Sequence, residues 1–441
     1  MLVINPMVSD TRVEKEARAL VENGFAVTVV AIHAEGLPVD EVRDGFRIVR
    51  LPYRRPLKDV FTSPFYRASV RHAGRVQALH AAERAGHRPW SVHVRLRGLV
   101  ERGMTRAWLL VGGVLLKTMR SRSLTVEYWH GIGRRLPDLL ERPDVITAHD
   151  LGPLQAAVRL AERWETPTSR PKVVYDSHEL YVEQQTRWTR REKLAWKRHE
   201  RKVIAQTDLV ITVSTGIATE LQRRYGLQQR PTVVLNSPRR RDLAVGDCET
   251  DLRADIDHQR GVLAVYVGGV KPGRGVDRLI PALAARNGWT LAVVGAPPSR
   301  YVQDLVAAAK ELEVEDRFVL VDSRPADELP QYLRTADVGV HPMEPSCLNH
   351  ELALPNKLFD YLFAGLPVAV SDLREMGSLV RDHGLGTTFD ARSPVSTATA
   401  ILEAATLRPP IVSTPLLDAW SWEHQAQQLV EAYFRLVDVD G

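Results

Sequence analysis

Cysteine is scarce in this 441-residue chain, which holds only Cys248 and Cys347. Two thiols cannot build a disulfide framework, so the fold must rest on buried apolar surface, and a reducing compartment is expected. Long apolar runs are also missing. The longest candidate, 107–116 (AWLLVGGVLL), has ten residues, well short of the ~20 that a bilayer-spanning helix needs. The opening MLVINPMVSD carries neither the basic stretch nor the long apolar segment of a secretory leader. A composition of 44% hydrophobic and 26% charged residues excludes fibrous and disordered classes.

Acidic residues are nearly absent from one region. Residues 51–122 contain 15 Lys plus Arg but only Asp59, Glu83 and Glu101, a local charge of +12 inside a chain of net charge +5. From residue 301 onward the balance reverses, with 10 basic against 22 acidic residues. A basic segment and an acidic end are therefore separated along the chain, a pattern that concerns partners rather than fold.

Short apolar runs alternate with amphipathic helical periods, as in βα units that feed a parallel sheet. LVIN (2–5) precedes a helix over 12–22 with Val13, Ala17, Leu20 and Val21 on one face. Gly24 ends it and VTVVAI (27–32) follows as a strand. The scheme repeats at 145–148, 172–176, 209–213 and 232–236. A polar stretch, 237–261, has no sustained apolar period and reads as a linker. A second series then occupies 262–269, 290–295, 317–321, 338–342 and 366–372. Two parallel-sheet α/β domains are predicted. In such sheets ligands bind beyond the carboxyl ends of the strands.

Two segments of the second series carry chemistry. In Tyr266-Val-Gly-Gly-Val-Lys-Pro-Gly-Arg-Gly275, a strand end turns into a helix. Gly268 and Gly269 permit close backbone approach, while Arg274 and the free amides of a helix start favour a phosphate. The run is neither G-x-G-x-x-G nor a Walker A motif, and a glycine-rich turn that binds nothing is the competing reading. In Leu354-Pro-Asn-Lys-Leu-Phe-Asp360, Pro355 suits a first helical turn, where Lys357 meets the dipole that attracts anions. Asp360, three residues on, shares its face. A phosphate suits Lys357 and a sugar diol suits Asp360; a solvated i,i+3 ion pair is the alternative.

These two segments, YVGGVKPGRGVDRLIPAL and LPNKLFDYLFAGLPVAVSD, resemble the donor-site motifs of glycosyltransferase family 4, retaining enzymes of the GT-B fold. The N-terminal segments DTRVEKEARALVENGFAVTVV, DVITAHD and VVYDSHELYVEQ, the stretch 205–238, and the final WSWEHQAQQLVEAYFRLV are similar to that family too. The resemblance leaves out mainly the basic segment 51–122. It implies two Rossmann-like parallel-sheet domains facing each other across a cleft. The acceptor-side domain would be 1–240, the nucleotide-sugar domain 261–415, and a helix in 420–441 would cross back to the first domain.

The resemblance also implies roles. Arg274 stands where the family has a diphosphate-binding lysine, and Lys357 lies in the phosphate-binding turn with Asn356 and Leu358 beside it. Asp360 replaces a glutamate that holds the ribose hydroxyls. Two positions depart from the pattern: Gly269 stands where many members have an arginine, and the first glutamate of the paired motif aligns with Leu352. Glu351 is one residue out of step, with Asn349 nearby, so either can take that role. His178 matches a histidine placed near the transferred sugar and the acceptor; a helix-capping histidine is the bland alternative. His149 and Asp150 are acceptor-side candidates, and Asp150 also suits the N-cap of a helix over 151–163. Asp10 and Arg12 follow the first strand, where Arg12 meets either an anionic ligand or Asp10.

The implied activity is transfer of a sugar from a nucleotide-diphospho-sugar to a hydroxyl of a glycan or lipid-linked glycan, in polysaccharide biosynthesis. Configuration is retained and no metal or other cofactor is expected, because fixed cations and helix N-termini can stabilise the leaving diphosphate. The alternatives are a nucleotide-sugar epimerase on the same fold and a non-catalytic nucleotide-sugar binding protein. Residues 92–122 join Arg and Lys clusters to the apolar 107–116 and suit an anionic membrane surface; the competing reading is an internal helix. No nucleic-acid motif is present. A cytoplasmic protein is expected, peripheral on the inner face of the membrane if that surface is the partner.

Overall fold

The computed structural model describes residues 1–8, 10–53, 128–184, 188–240, 251–256, 261–407 and 413–437. Cys248 and the proposed membrane-binding segment 92–122 lie outside the described residues. No described helix is long and apolar enough to cross a membrane. The chain divides into two compact units: residues 1–11, 26–175 and 187–208 form the first, and 12–25, 176–186 and 209–441 the second.

In the first unit, β1 (Thr28–Ile32) pairs in parallel with β3 (Phe46–Leu51), and β2 (Asp40–Arg43) pairs antiparallel with β3. The β2–β3 hairpin is absent from the sequence reading, although Asp44-Gly45 is a strong signal for it. Both residues have positive φ, 49° and 85°, as a two-residue primed turn requires. The expected first strand is reduced to a bridge, with Leu2 paired to Val30 on one side and Ala148 of β4 (Val145–His149) on the other. Helix α2 (Leu151–Arg163) follows β4. β5 (Lys172–Ser177) ends where the second unit resumes, and helix α3 (Arg190–Ile204) opens with a capping box between Thr189 and Glu192. Strands β4 and β5 continue in the order β4-β5-β6-β7, where β6 is Leu209–Thr212 and β7 only Thr232–Val233.

The second unit holds helix α1 (Thr11–Glu22) from its second residue on, and helix α4 (Thr215–Tyr225). Its main sheet is six-stranded and wholly parallel, in the order β10-β9-β8-β11-β12-β13. The strands are β8 (Val262–Val267), β9 (Trp289–Val294), β10 (Phe318–Val321), β11 (Val338–His341), β12 (Val368–Ser371) and β13 (Gly386–Phe389). Helices α5 (Val276–Ala285), α6 (Arg300–Glu311), α7 (Leu348–Leu352), α8 (Asn356–Phe363) and α9 (Arg374–Asp382) lie between them in the chain, and α10 (Pro394–Ala405) follows β13. On β8, Leu263, Val265 and Val267 join one apolar cluster while Ala264 and Tyr266 join the other. Both faces are thus covered, which is why this strand reads as a continuous apolar run. The stretch read as a linker is partly built into this core: Leu252 is fully buried, and Arg253 donates to Asp337 at 2.5 Å. Helix α11 (Trp422–Val437) packs on α1, with Phe25 against Tyr433 and Phe434, and its Trp422 amide donates to Pro238 O.

The strand order reverses between β8 and β11, so this is the sheet's switch point. One side chain joins the two strands. The Tyr361 hydroxyl accepts from the Val267 amide at 2.9 Å and donates to Val340 O at 3.2 Å. Gly339 makes room for it, since a Cβ there would lie 2.2 Å from Tyr361 Cγ. Tyr361→Phe is expected to leave the buried Val267 amide without its partner and cost about 1–3 kcal/mol. A urea midpoint equal to that of the parent would contradict this.

Candidate functional site

At the carboxyl ends of β8 and β11, Gly268, Gly269, Arg274, Lys357 and Asp360 come together. Gly268 has φ 99°, and a Cβ built on it would sit 3.6 Å from Lys357 Nζ. The loop that carries Arg274 closes on β11 at Gly275, φ 80°, where a Cβ would lie 1.9 Å from Pro342 O. Only glycine permits that approach and that backbone conformation. Helix α8 starts after Pro355, so the amides of Asn356 and Lys357 have no intrahelical acceptor.

Lys357 has no carboxylate at ion-pair distance among the described residues. Its Nζ stands 3.6 Å from the centroid of Tyr266, a cation–π contact whose ring holds the ammonium over the end of β8. Burial, reinforced by the Arg274 charge and opposed by Asp360, lowers the Lys357 pKa to about 7. Burial likewise raises Asp360 to about 6 against the pull of Lys15 and Lys357. Beneath them, His341 is 2% exposed. Burial, then Lys357, Arg274 and His350, hold its pKa well below the usual value, so it stays neutral and adds no charge. An excess of positive charge therefore converges on a strand end with helix amides beside it, an arrangement whose chemistry suits a phosphate.

A second cluster surrounds His178. Asp176, fully buried, accepts from Arg12 Nε at 3.0 Å and Arg12 Nη2 at 2.7 Å, and lies 2.7 Å from His178 Nε2. Arg12 Nη1 donates to Val234 O at 2.9 Å, and Glu16 lies 3.0 Å from Arg12 Nε, also fully buried. Burial and then the Asp176 charge raise Glu16 to about 8, against Arg12 and His178. Glu16 is therefore a neutral acid at pH 7.

The structure gives the remaining sequence candidates definite places, and it corrects the expectations for Arg12, Asn349 and Glu351. Arg12 is 3% exposed and committed to Asp176, not presented to an anionic ligand; Asp10 accepts instead from Asn5 Nδ2 at 2.6 Å. Asn349 is spent on the loop after β5: its Oδ1 accepts from the Leu180 amide at 2.7 Å and its Nδ2 donates to Glu179 at 3.1 Å. Glu351 accepts from the Arg374 amide at 3.0 Å and so caps α9. The Leu358 side chain belongs to the core, and its amide donates to Pro355 O. Asp150 occupies the N-cap position of α2 with φ 65° and makes no side-chain cap bond. His149 is buried at the end of β4, its amide donating to Leu2 O. Asn356 is exposed at the start of α8.

Sequence reasoning missed Tyr266, His341, Asp176 and Glu16. A signal existed for Glu16, which stands four residues after Arg12 on the face carrying Val13, Ala17 and Leu20. Two ionisable side chains on an otherwise apolar helix face must find burial partners. Asp176 was visible two residues before His178, on an apolar strand.

Residues 77–237 match the model of Glycosyltransferase Family 4, and 261–415 that of Glycosyl transferases group 1. Among curated proteins, the chain is 26% identical over 251 residues to the D-inositol 3-phosphate glycosyltransferase of Geodermatophilus obscurus, covering 53% of this chain and 54% of that protein. It thus spans about half the length of the curated relatives it matches first. A protein of the same name from Salinispora tropica is 24% identical over 98% of this chain and 95% of its own length. Anabaena HepE in complex with UDP superposes with a TM-score of 0.60 at 14% identity, covering 98% of this chain and 99% of that one. The fold is accordingly GT-B, with two parallel-sheet, Rossmann-like domains. Its N-terminal sheet carries β2 as an antiparallel strand at one end.

The raised Glu16 pKa has a stability consequence. An acid whose pKa is 4.5 when unfolded and about 8 when folded binds its proton more tightly in the native state. Its contribution is complete below 4.5 and is lost as pH rises toward 8. Denaturation midpoints should therefore fall across that window, and Glu16→Gln should flatten the fall. An equal slope in both proteins would refute the assignment.

Proposed function

We propose that this chain, built from a Glycosyltransferase Family 4 domain and a Glycosyl transferases group 1 domain, transfers a glycosyl group from a nucleoside-diphosphate sugar to a hydroxyl of a glycan or lipid-linked glycan. The observation that carries this reading is Lys357, an ammonium without a carboxylate at ion-pair distance among the described residues, held over Tyr266 beside Arg274, Gly268 and the first amides of α8. In the reaction the bond from the anomeric carbon to the diphosphate breaks, a bond to the acceptor oxygen forms, and the acceptor hydroxyl's proton passes to the departing diphosphate. The diphosphate leaves as an anion. Fixed donors and cations at that spot stabilise the charge as it develops, the role a divalent metal plays elsewhere, and we therefore read the reaction as metal-independent. Asp360, ionised above about pH 6, would accept from the ribose hydroxyls. Retention of configuration is proposed from the resemblance of the donor motifs to retaining enzymes. UDP is the nucleotide to test first, since HepE was crystallised with it. The two glycosyltransferase domains do not favour the epimerase or binding-protein readings.

Binding and protonation are linked. Lys357 titrates near 7, so a diphosphate that requires the ammonium takes up a proton on binding, and its affinity falls as pH rises through 7. UDP titrated calorimetrically between about pH 6 and about pH 8.5 should bind more weakly at the upper end. Lys357→Arg should remove that dependence, and Lys357→Met should lower affinity at every pH. Equal affinity of Lys357→Met and the parent would sink the proposed site.

A further inference from the structure

We propose that Asp176 is a positioning residue for His178, fixing the imidazole as its Nε2–H tautomer so that Nδ1 accepts a hydrogen bond from a substrate hydroxyl. The hydroxyl rests on the glycosyl-transfer reading; the tautomer does not.

A fully buried carboxylate persists as an anion only with close donors around it, and Asp176 has two from Arg12, at 3.0 and 2.7 Å. Arg12 is itself held on a third side by Val234 O, at 2.9 Å, so the carboxylate is fixed in place and in charge. An ionised carboxylate has no proton to give. Across the 2.7 Å contact to His178, the ring nitrogen must therefore be the donor.

A neutral imidazole carries a single N–H. Committing it to Nε2 leaves a lone pair on Nδ1, and the nitrogen that faces the carboxylate decides what the other can do. Charge balance agrees with a neutral ring. Arg12 and Asp176 cancel, and Glu16 in its acid form adds a donor toward Asp176 without adding charge. His178 is 19% exposed against 0% for Asp176, so the carboxylate lies behind the ring on the buried side. Sugar hydroxyls donate readily to such an acceptor. An Nδ1–H tautomer in the same place would instead offer a donor.

The test uses full-length protein labelled with 15N-histidine, at a pH above the imidazole's titration. The His178 signals are identified by their loss in His178→Gln. An unprotonated Nδ1 and a protonated Nε2 are expected in the parent. In Asp176→Asn the two tautomers should mix, and kcat should fall at least about 100-fold with little change in KM for the nucleotide sugar. The parent spectrum decides the tautomer even where Asp176→Asn does not fold. An Nδ1–H tautomer in the parent, or an Asp176→Asn protein with parental tautomer and parental kcat, overturns the proposal. The expected tautomer in a protein that transfers no sugar would instead overturn the glycosyl-transfer reading and leave Asp176 as the determinant of the ring's protonation.

Discussion

Strands β8 and β11 pair directly in the sheet, and one hydroxyl ties them together again beyond their short ladder. Tyr361 reaches from α8 to accept from Val267 and donate to Val340, at the place where the sheet's winding reverses. The contact depends on the missing side chain of Gly339, and it fixes α8 against both strand ends. Everything that could receive a phosphate follows from this placement. The first turn of α8 brings Lys357 over Tyr266, the loop from β8 brings Arg274, and Gly275 lets that loop touch Pro342. Backbone that must approach backbone can carry no Cβ, so these glycines act through steric necessity.

Two charge arrangements, one buried and one half-buried, differ in kind. Around Asp176 the charges are matched: a guanidinium against a carboxylate, with Glu16 kept as an acid because a second anion there would be uncompensated. Such a cluster holds its shape and gives direction to His178. Around Lys357 the charges are unmatched. Two cations approach each other with Asp360 as the offsetting anion, and the lysine pKa drops toward neutrality. An unmatched buried charge is costly unless something else supplies the opposite sign. That contrast separates a positioning cluster from a binding one on physical grounds alone.

Much of this was legible in the chain itself. Alternating apolar runs and amphipathic periods located β1, β4, β5, β6 and all five anticipated strands of the second sheet. Glycine chemistry, helix-start chemistry and spacing singled out Gly268, Arg274, Lys357 and Asp360, which the structure brings to one strand end. Errors arose where a local motif competed with a distant partner. Count placed the first glutamate of the paired motif at Leu352, with Glu351 and Asn349 as its neighbouring substitutes, yet the Asn349 amide holds Leu180 and the Glu351 carboxylate caps α9. The Asp44-Gly45 hairpin was a plain local signal that went unread. β7 shrank to two residues because the chain leaves the ladder after the Val234 amide donates to Thr212 O, and the Leu235 amide turns to Gln425 of α11.

The sequence by itself determined the α/β class, the periodicity of the two sheets and the residue types available at each strand end. Those are consequences of side-chain period and local backbone preference, which act between neighbours in the chain. Tertiary structure alone decided which charges meet. Arg12 and Asp176 are 164 residues apart in sequence, and Lys357 meets the ring of Tyr266 only because α8 is pinned across the switch point. Burial then set the protonation of Glu16, Lys357 and Asp360, because desolvation depends on everything packed around a group, and no spacing along the chain encodes it.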